Sequence, residues 1–355
     1  MLDTIKLCIP FDECKVNSPE IFIPSIRNGI KKNVKYVCNP DKDWRKNGKY
    51  FPKLTIYKDY NNENQLIIEF SAPKLVFGNN FEELQTADFS RVLNELLDRL
   101  SGLDIEISRE TLKNAKVFSI HYSKNFELEN ISSNQIINTI EKLDISKRLD
   151  IAKTDYKNGG QIVRFHTNSY ELAFYDKVAD LMQSKISDKR AMENENIVQQ
   201  ELLKTLDGKE ILRMEVRLNK PKKIRHTFQK CGIENVELVF KQLFNDYISK
   251  KVLNYFWDEF IEKSIYVVCQ SENATSVILS KCALVGINPN KSLKIAGILS
   301  SIKENGCREI KEKLRHSGFG KYVKDIELIG LDDSYLLKQF RGIRTKLQRM
   351  IPLRI

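Results

Sequence analysis

The sequence predicts an α+β fold: an antiparallel-rich sheet with helices on one face, followed by a mostly helical C-terminal region. Two observations lead to this class. Over the first two thirds of the 355 residues, segments rich in β-branched and aromatic residues alternate with amphipathic helical segments. After residue 231 the pattern becomes helical, with short helices punctuated by Gly and Asn. We therefore expect a boundary near residue 232, between domains 1–231 and 232–355.

The strand predictions rest on β-branched and aromatic enrichment. They are residues 3–9, 53–58, 65–71, 116–123, 161–166, 171–177 and 211–218. Between the last two of these, the polar segment 182–210 is expected to be a mobile excursion.

Helix predictions rest on apolar residues that recur with helical spacing. A helix is expected over 89–100, with Asp88 as its N-cap. A second is expected over 132–143, capped by Ser132 or Ser133. Beyond residue 231, "NVELVFKQLFNDYISKKVLNYFWDEFIEK" predicts one long or kinked amphipathic helix.

Composition indicates a soluble globular protein, because 41% of the residues are hydrophobic and 30% are charged. No run of eighteen apolar residues is present, so no membrane span is expected. The N-terminal "MLDTIKLCIPFDECK" is predicted to be a strand and not a signal peptide. The seven cysteines are an odd number without a CxxC pair, which favours reduced thiols in a cytoplasmic protein without zinc or disulfides.

The charge balance favours a polyanionic partner, most often nucleic acid. The formal net charge is +11. Segments 219–230 and 338–355 contain basic residues and no acidic ones. Either segment could be a solvated face or a frayed tail. Together they favour a phosphate-binding surface.

Alternation along the strands brings one polar reactive group from each of four strands to a single sheet face. These groups are Glu69, His121, Tyr175 and Glu215. In strand 116–123 the same alternation places Phe118, Ile120 and Tyr122 in the core. Two carboxylates and an imidazole are ligands that a divalent ion takes while it keeps positions open for water or phosphate. The pattern is therefore compatible with a metal site on this face.

Tyr175 in "FYDK" raises the question of a nucleophile. A free tyrosine has a pKa of about 10, so it is a poor nucleophile unless a metal ion or a neighbour such as Lys177 favours the phenolate. Structural alternatives exist for each residue. His121 could be hydrogen-bonded structure, Glu215 could belong to a surface salt-bridge row, and Tyr175 could fill the core or its rim. Residue type and periodicity leave these alternatives open.

Three segments, in this order and spacing, resemble a known family: "SIHYSKNFEL", "VRFHTNSYELAFYDKVADL" and "ILRMEVRLNKPKKIR". They are similar to phage and plasmid rolling-circle replication initiation proteins, above all the filamentous-phage gene II type. The resemblance covers roughly residues 1–230 and implies a Rep nickase-like fold. It also implies strand-specific origin nicking and rejoining that depends on Mg2+ or Mn2+. In this chemistry a tyrosine attacks a phosphodiester, stays linked to the 5′ phosphate and leaves a free 3′-OH.

The resemblance assigns roles to individual residues. Tyr175 matches the nucleophile position, with Lys177 beside it, and Tyr170 is the second candidate although it falls on the other face of a regular strand. Glu215 and His121 match positions of metal ligands; Glu69 joins the expected set from strand alternation alone. Plasmid relatives usually carry an aspartate where His121 stands, the final acid of their YDKxxEL pattern is Asp180 here, and the chain has no HUH triplet.

The expected partner is origin DNA, as a single strand or hairpin, together with a host helicase in a bacterial cytoplasm. Domain 1–231 would carry nicking and joining, and domain 232–355 would assist DNA binding. The residues expected to contact DNA are Arg164, Arg213, Arg217, Lys220, Lys222, Lys223 and Arg225. Two alternatives stay open: a non-catalytic origin-binding replication or copy-control protein, and a mobilisation relaxase.

Overall fold

The computed structural model describes residues 1–25, 35–40, 49–58, 63–144, 149–187, 201–332 and 334–354. Ten strands of this part of the chain form one antiparallel sheet, and two more form a separate pair. The strands are β1 (Leu2–Pro10), β2 (Cys14–Val16), β3 (Ile23–Ser25), β4 (Lys35–Cys38), β5 (Lys53–Lys58), β6 (Asn64–Ser71), β7 (Ile105–Ile107), β8 (Lys116–Leu128), β9 (Asp150–Asp155), β10 (Gln161–His166), β11 (Tyr170–Asp176) and β12 (Glu210–Leu218). The sheet order is β3-β4-β5-β6-β1-β8-β12-β11-β10-β9, and β2 pairs with β7.

The helices precede, connect and follow these strands. They are α1 (Ala72–Phe77), α2 (Phe89–Ser101), α3 (Arg109–Asn114), α4 (Ser133–Glu141), α5 (Lys177–Ser187), α6 (Pro221–Lys230), α7 (Phe240–Leu243), α8 (Asp246–Trp257), α9 (Lys263–Gln270), α10 (Thr275–Leu284), α11 (Pro289–Lys313), α12 (Arg315–Ile329) and α13 (Tyr335–Arg349). Residues 201–205 are also helical. Within the described ranges, no helix combines the length and the apolarity that a membrane crossing requires.

The predicted α+β class is confirmed, and each of the seven predicted strands is present. Two of them, at 53–58 and 161–166, have the predicted bounds. The pattern missed β9 because "DIAKTD" is mostly polar and only one of its residues is even partly buried. Of the predicted excursion 182–210, residues 188–200 lie outside the described part of the chain.

Helix ends show where local sequence was informative. Ser132 caps α4, since its hydroxyl accepts a hydrogen bond from the Gln135 backbone N–H at 3.2 Å. Asp88 occupies the N-cap position of α2 as predicted, but its side chain does not cap the helix, because its carboxylate accepts from the Gln85 backbone N–H in the preceding turn. The long helix predicted after residue 231 is divided into α7, α8 and α9, with a π-helical turn at Asp258–Glu262.

One sheet face forms the apolar core under the helices. Tyr122, Phe174 and Met214 are fully buried in the same cluster as Ile137 of α4 and Phe256 of α8. Alternation along each strand leaves the opposite face to polar side chains. At one end of that opposite face, α5 and residues 201–206 pack over Ile211, so helices lie mainly, but not entirely, on one side of the sheet.

Packing is continuous across residue 232. Phe240 and Leu347 belong to the same buried cluster as the sheet. The hydroxyl of Tyr122 donates to the carbonyl oxygen of Leu243 at 3.0 Å. The acid-free segment 338–355 is not a frayed tail, because α13 buries one side against this core. The division at 232 stays a prediction about domains and does not coincide with a break in the core.

The predicted burial of Phe118 was wrong. In the β1–β8 pairing, Lys6 lies opposite Ser119 and Leu7 lies opposite Val117, so one residue of β8 is skipped. This bulge shifts the alternation of side chains. As a result Val117 is buried, while Phe118 is 41% exposed.

Candidate functional site

The polar face of the sheet is defined here by side chains from four neighbouring strands. They are His121 on β8, Glu215 and Arg217 on β12, Glu171 and Tyr175 on β11, and Arg164 on β10. The register explains the grouping: Arg217 lies directly opposite His121 on one side and Glu171 on the other. Directly opposed residues of antiparallel strands project to the same face. The sequence prediction that His121, Tyr175 and Glu215 share a face is confirmed.

Glu215 is the centre of a hydrogen-bonded group. Its Oε1 lies 3.0 Å from Nε of Arg217 and 3.3 Å from Nδ1 of His121. Its Oε2 accepts from a second Arg217 nitrogen and from the hydroxyl of Tyr175, both at 3.1 Å. We call His121, Tyr175, Glu215 and Arg217 the Glu215 cluster. Each carboxylate oxygen in it has two polar neighbours.

The cluster extends toward the sheet edge through Glu171. Arg217 NH1 lies 3.0 Å from Oε1 of Glu171, and Nε of Arg164 lies 3.7 Å from the same oxygen. The side chains of Arg217 and Arg164 remain 29% and 37% exposed. Positive charge on this face is thus partly balanced by carboxylates and partly open to solvent.

The charge of Glu215 is determined by its cationic and hydrogen-bonding neighbours, which outweigh its burial. Burial by itself would raise the pKa of Glu215, but the Arg217 guanidinium and His121 outweigh it and hold that pKa well below its usual range. Glu215 is therefore a carboxylate at neutral pH. It accepts a hydrogen bond from the Tyr175 hydroxyl but does not remove its proton.

Tyr175 is held as a neutral phenol. Its side chain is 5% exposed, and it packs with Tyr156, Ile162 and Ala173 in a small cluster on the polar face. Burial raises the pKa of Tyr175 far above its usual value, opposed by the positive charge of Arg213. In this arrangement the hydroxyl is hydrogen-bonded to Glu215 but keeps its proton, so it is not activated as a nucleophile.

Arg213, expected to contact DNA, instead holds the protein together. It is 1% exposed and donates to the Asn80 carbonyl oxygen and the Ser123 hydroxyl, both at 2.8 Å. Its guanidinium also donates to the side-chain oxygen of Asn125 at 3.3 Å and forms an ion pair of 3.1 Å with Asp3 of β1. Because the neighbours of this guanidinium are all protein groups, it could contact a phosphate only if the structure around Asp3 and Asn80 unfolded.

Lys177 begins α5 directly after β11 and is completely buried. Its Nζ donates to Asp180 at 2.9 Å and to Asn80 at 3.1 Å. It also lies 5.6 Å from the centre of the Tyr175 ring. Burial lowers the pKa of Lys177, and Asp180 opposes that shift. Lys177 therefore lies close to the ring of Tyr175. It is paired with Asp180, the residue that stands where the YDKxxEL pattern has glutamate.

Tyr170 lies on the opposite side of β11, as regular alternation predicts. Its ring contacts Phe256 of α8, with 5.8 Å between ring centres, and Nζ of Lys223 lies 3.7 Å from its centre. It packs against the main apolar core. The strand contains no bulge there, since its pairing with β12 runs unbroken from Tyr170 to Asp176. Tyr170 and Tyr175 therefore belong to different surfaces.

The predicted metal ligands do not assemble. Glu69 lies on β6, opposite Lys6, and pairs with its amine at 3.0 Å, whereas His121 and Glu215 lie on β8 and β12. Arg217 occupies both oxygens of Glu215. Among the residues that the structure describes, no group of three or more His, Cys, Asp and Glu could hold a metal ion. As arranged, these residues do not fit Mg2+ or Mn2+.

The remaining predicted DNA contacts lie on and just before α6. Lys220, Lys222 and Arg225 are exposed, while Lys223 is partly covered by its contact with Tyr170. Ile224 and Phe228 bury the other side of α6 in the main core. These cations therefore lie on the helical layer at the end of β12, beyond Arg217, and not on the polar face itself.

Sequence reasoning missed three contributors to this site. Glu171 shares the parity of Tyr175 on β11, so alternation alone could have found it. Asp3 could not have been found this way, because a register shift in β1 after Leu2 turns it toward Arg213. Tyr156 covers Tyr175 from the turn between β9 and β10, a contact that no local pattern encodes.

One cavity of the described part of the chain does not include this face. A cavity of about 550 Å³ is lined by Lys15, Leu97 and Glu106, at the β2–β7 pair and the end of α2. Its lining contains no member of the Glu215 cluster.

Comparisons of the chain with protein-family models, with curated proteins and with solved structures find no match.

Proposed function

We propose that this protein nicks and rejoins DNA as a rolling-circle replication initiator, with Tyr175 as the nucleophile. The observation that carries the proposal is the hydrogen bond of 3.1 Å from the Tyr175 hydroxyl to the buried carboxylate of Glu215. A positioned carboxylate beside a hydroxyl is the arrangement of a nucleophile and its base. The sequence resemblance assigns the same tyrosine.

The reaction balances with the groups present. The phenolic oxygen of Tyr175 attacks phosphorus, and its proton passes to Glu215. The bond from phosphorus to the 3′ oxygen breaks, and the proton held by Glu215 passes to that oxygen, which restores the carboxylate. The products are a 5′-phosphotyrosine ester and a free 3′-OH. Because one phosphodiester replaces another, the reverse reaction reseals the strand without ATP.

Two partly exposed arginines support the phosphate in this proposal. Arg217 and Arg164 lie beside Tyr175 on the same face. A guanidinium binds phosphate oxygens through paired N–H donors and stabilises the charge that develops during transfer. Attack also requires an opening, because Tyr156 packs in the same cluster as Tyr175. Displacement of the turn 156–160 by the bound strand would expose the hydroxyl.

A second function is favoured by the burial of Tyr175. A phenol that is 5% exposed, with its pKa raised far above the usual value, is also what a structural tyrosine shows. In that case the protein binds origin DNA through its basic surfaces without cutting it. The two functions differ in one product, the covalent adduct.

The test uses a pool of random-sequence single strands labelled at the 3′ end, so that no origin sequence has to be known. After incubation with and without Mg2+ or Mn2+, the protein is denatured and separated by gel electrophoresis. Wild type should carry the label, Tyr175→Phe should carry none, and Tyr170→Phe should match wild type. An adduct that persists in Tyr175→Phe would move the nucleophile elsewhere. DNA binding without any adduct would establish the second function instead.

A further inference from the structure

The C-terminal region contains a two-helix unit that the proposed nicking site does not use. α10 ends in a glycine turn: Gly286 has φ of 75°, and its N–H donates to the Ala283 carbonyl at 3.1 Å. The next N–H, of Ile287, donates to the Cys282 carbonyl at 3.0 Å. This pair of hydrogen bonds is the Schellman arrangement that ends a helix and redirects the chain.

The chain starts a new helix immediately. Asn288 caps α11, since its Oδ1 accepts from the Lys291 backbone N–H at 2.9 Å. Pro289 occupies the first helical position, where its missing N–H is not needed. Two helices joined by a short glycine-containing turn have the chain order of a helix-turn-helix.

The two helices are held together on their inner sides. Ile278 and Cys282 of α10 are buried, as are Ser292, Ile295 and Ala296 of α11. These α11 positions recur with helical spacing and fix the orientation of the helix. The outer side of its first turns is consequently left to solvent.

An exposed stripe runs along that outer side. It consists of Asn290, Leu293, Lys294, Gly297 and Ser300, which are spaced so that they share one face of α11. Leu293 is 60% exposed. Gly297 has no packing role, because a side chain added there would meet nothing within 4 Å. A glycine inside a helix costs about 1 kcal/mol relative to alanine, so its presence favours the close approach of a partner to this stripe.

Charge on this unit suits a polyanion. From Asn273 to Lys303 the chain contains no Asp or Glu. Lys291 pairs with Asp325 and Lys303 pairs with Glu272, both outside that segment. Lys294, on the stripe itself, has no acidic partner among the described residues. The positive charge of Lys294 is therefore unpaired in this part of the chain and lies on the exposed face of α11.

From these observations we infer that the α11 stripe binds the major groove of duplex DNA. An α-helix fits that groove, and in a helix-turn-helix the first residues of the second helix contact base edges. Asn290 can pair with an adenine edge, Lys294 with a guanine edge or a phosphate, and Leu293 with a thymine methyl. The inference is independent of nicking at Tyr175, because it concerns duplex binding by a separate surface.

The experiment measures binding to two probes by fluorescence anisotropy: a mixed-sequence duplex of about 30 base pairs and a single strand of the same length. Asn290→Ala/Lys294→Ala should weaken duplex binding by about tenfold or more and leave single-strand binding within about twofold. Lys313→Ala removes an exposed charge from the far end of α11, beyond the non-helical backbone at Gly306, and should leave both affinities unchanged. Gly297→Ala should raise Tm yet weaken duplex binding.

Two results would overturn the inference. Unchanged duplex affinity in the double variant, with Tm equal to that of wild type, would show that DNA does not bind to this surface. A wild-type dimer in sedimentation that Leu293→Asp converts to a monomer, with duplex affinity retained, would identify the stripe as a contact between copies of the chain. Adduct formation on single strands is measured separately, so failure here and failure of the nicking proposal are distinguishable.

Discussion

The hydroxyl of Tyr175 lies 3.1 Å from Oε2 of Glu215, and the two side chains meet across the neighbouring strands β11 and β12. Arg217 and His121 hold the same carboxylate. Loss of the hydroxyl therefore leaves Glu215 still paired. We expect Tyr175→Phe to lower the free energy of unfolding by only about 1 kcal/mol in urea denaturation.

A double-mutant cycle separates this hydrogen bond from other effects. Tyr175→Phe, Glu215→Gln and the double variant are compared with wild type. A coupling energy of about 1 kcal/mol is expected, because the acceptor is charged and buried but keeps its other partners. A coupling near zero would mean that the two groups do not interact in solution, and the proposed base would lose its support.

Acid should destabilise the protein through Glu215. Its pKa in the folded protein lies well below the usual range, whereas in the unfolded chain it is about 4.3. The unfolded state takes up the proton first, so the stability that Glu215 contributes is present above about pH 4.3 and is lost as the pH falls below it. Two of the groups facing it, Arg217 and Tyr175, do not titrate there. Between about pH 5 and pH 3, wild type should lose more stability than Glu215→Gln, and equal losses would contradict the assignment.

Arg213 should prove structural and Arg164 dispensable for folding. Arg213→Ala leaves Asp3 buried without its cation, and breaking such a pair destabilises by about 3–5 kcal/mol. Arg164→Ala removes an exposed side chain 3.7 Å from its acid and should change stability by less than about 1 kcal/mol. Both are measured by urea denaturation. If Arg213→Ala were folded and stable but bound DNA more weakly, Arg213 would be a DNA-contacting residue after all.

Strand positions and faces were predictable from sequence because β-branched segments and a period of two encode them locally. The sharing of one face by His121, Tyr175 and Glu215 followed from that period alone. The failures lie where one residue breaks the period. The bulge skips Phe118, and a register shift turns Asp3 toward Arg213. Neither change has a signal in the residues around it.

The contacts within the site were less predictable than its location. Residues two apart on a strand share a face, so a pairing of Glu215 with a neighbouring arginine was foreseeable. Which arginine pairs with it was not. Arg217 turns to Glu215, while Arg213 is drawn away by Asp3 and by the carbonyl of Asn80, both distant in sequence. The expected third ligand, Glu69, found a partner in Lys6 on the adjacent strand.

Free protein should not bind Mg2+ or Mn2+ at Glu215. Both oxygens of that carboxylate face the Arg217 guanidinium, whose charge would oppose a cation. A metal at one hundred times its dissociation constant would stabilise the fold by about 2.7 kcal/mol, which a thermal melt detects. We expect no shift in Tm for wild type. A rise that disappears in Glu215→Gln but persists in Glu69→Gln would show that the cation displaces Arg217.

The exposed cations of α6 should contribute salt-dependent affinity for DNA. Lys222 lies in the first turn of α6, which contains no acidic residue, and the helix dipole disfavours a cation there by about 0.3–1 kcal/mol. Lys222→Gln/Arg225→Gln should therefore fold at least as well as wild type, so any loss of affinity reflects DNA contact. On a random single strand, two lost phosphate contacts should reduce the slope of log K against log salt by about 1.4.

The matched control is Lys263→Gln/Lys313→Gln, which removes the same charge from exposed lysines that pair with Glu259 and Glu309. Its salt slope should equal that of wild type, because these residues lie on helices α9 and α11 away from β12. Equal slopes for all three proteins would make α6 an ordinary solvated helix. A reduced slope in both variants would mean that net charge, and not the position of the α6 cations at the end of β12, governs binding to single-stranded DNA.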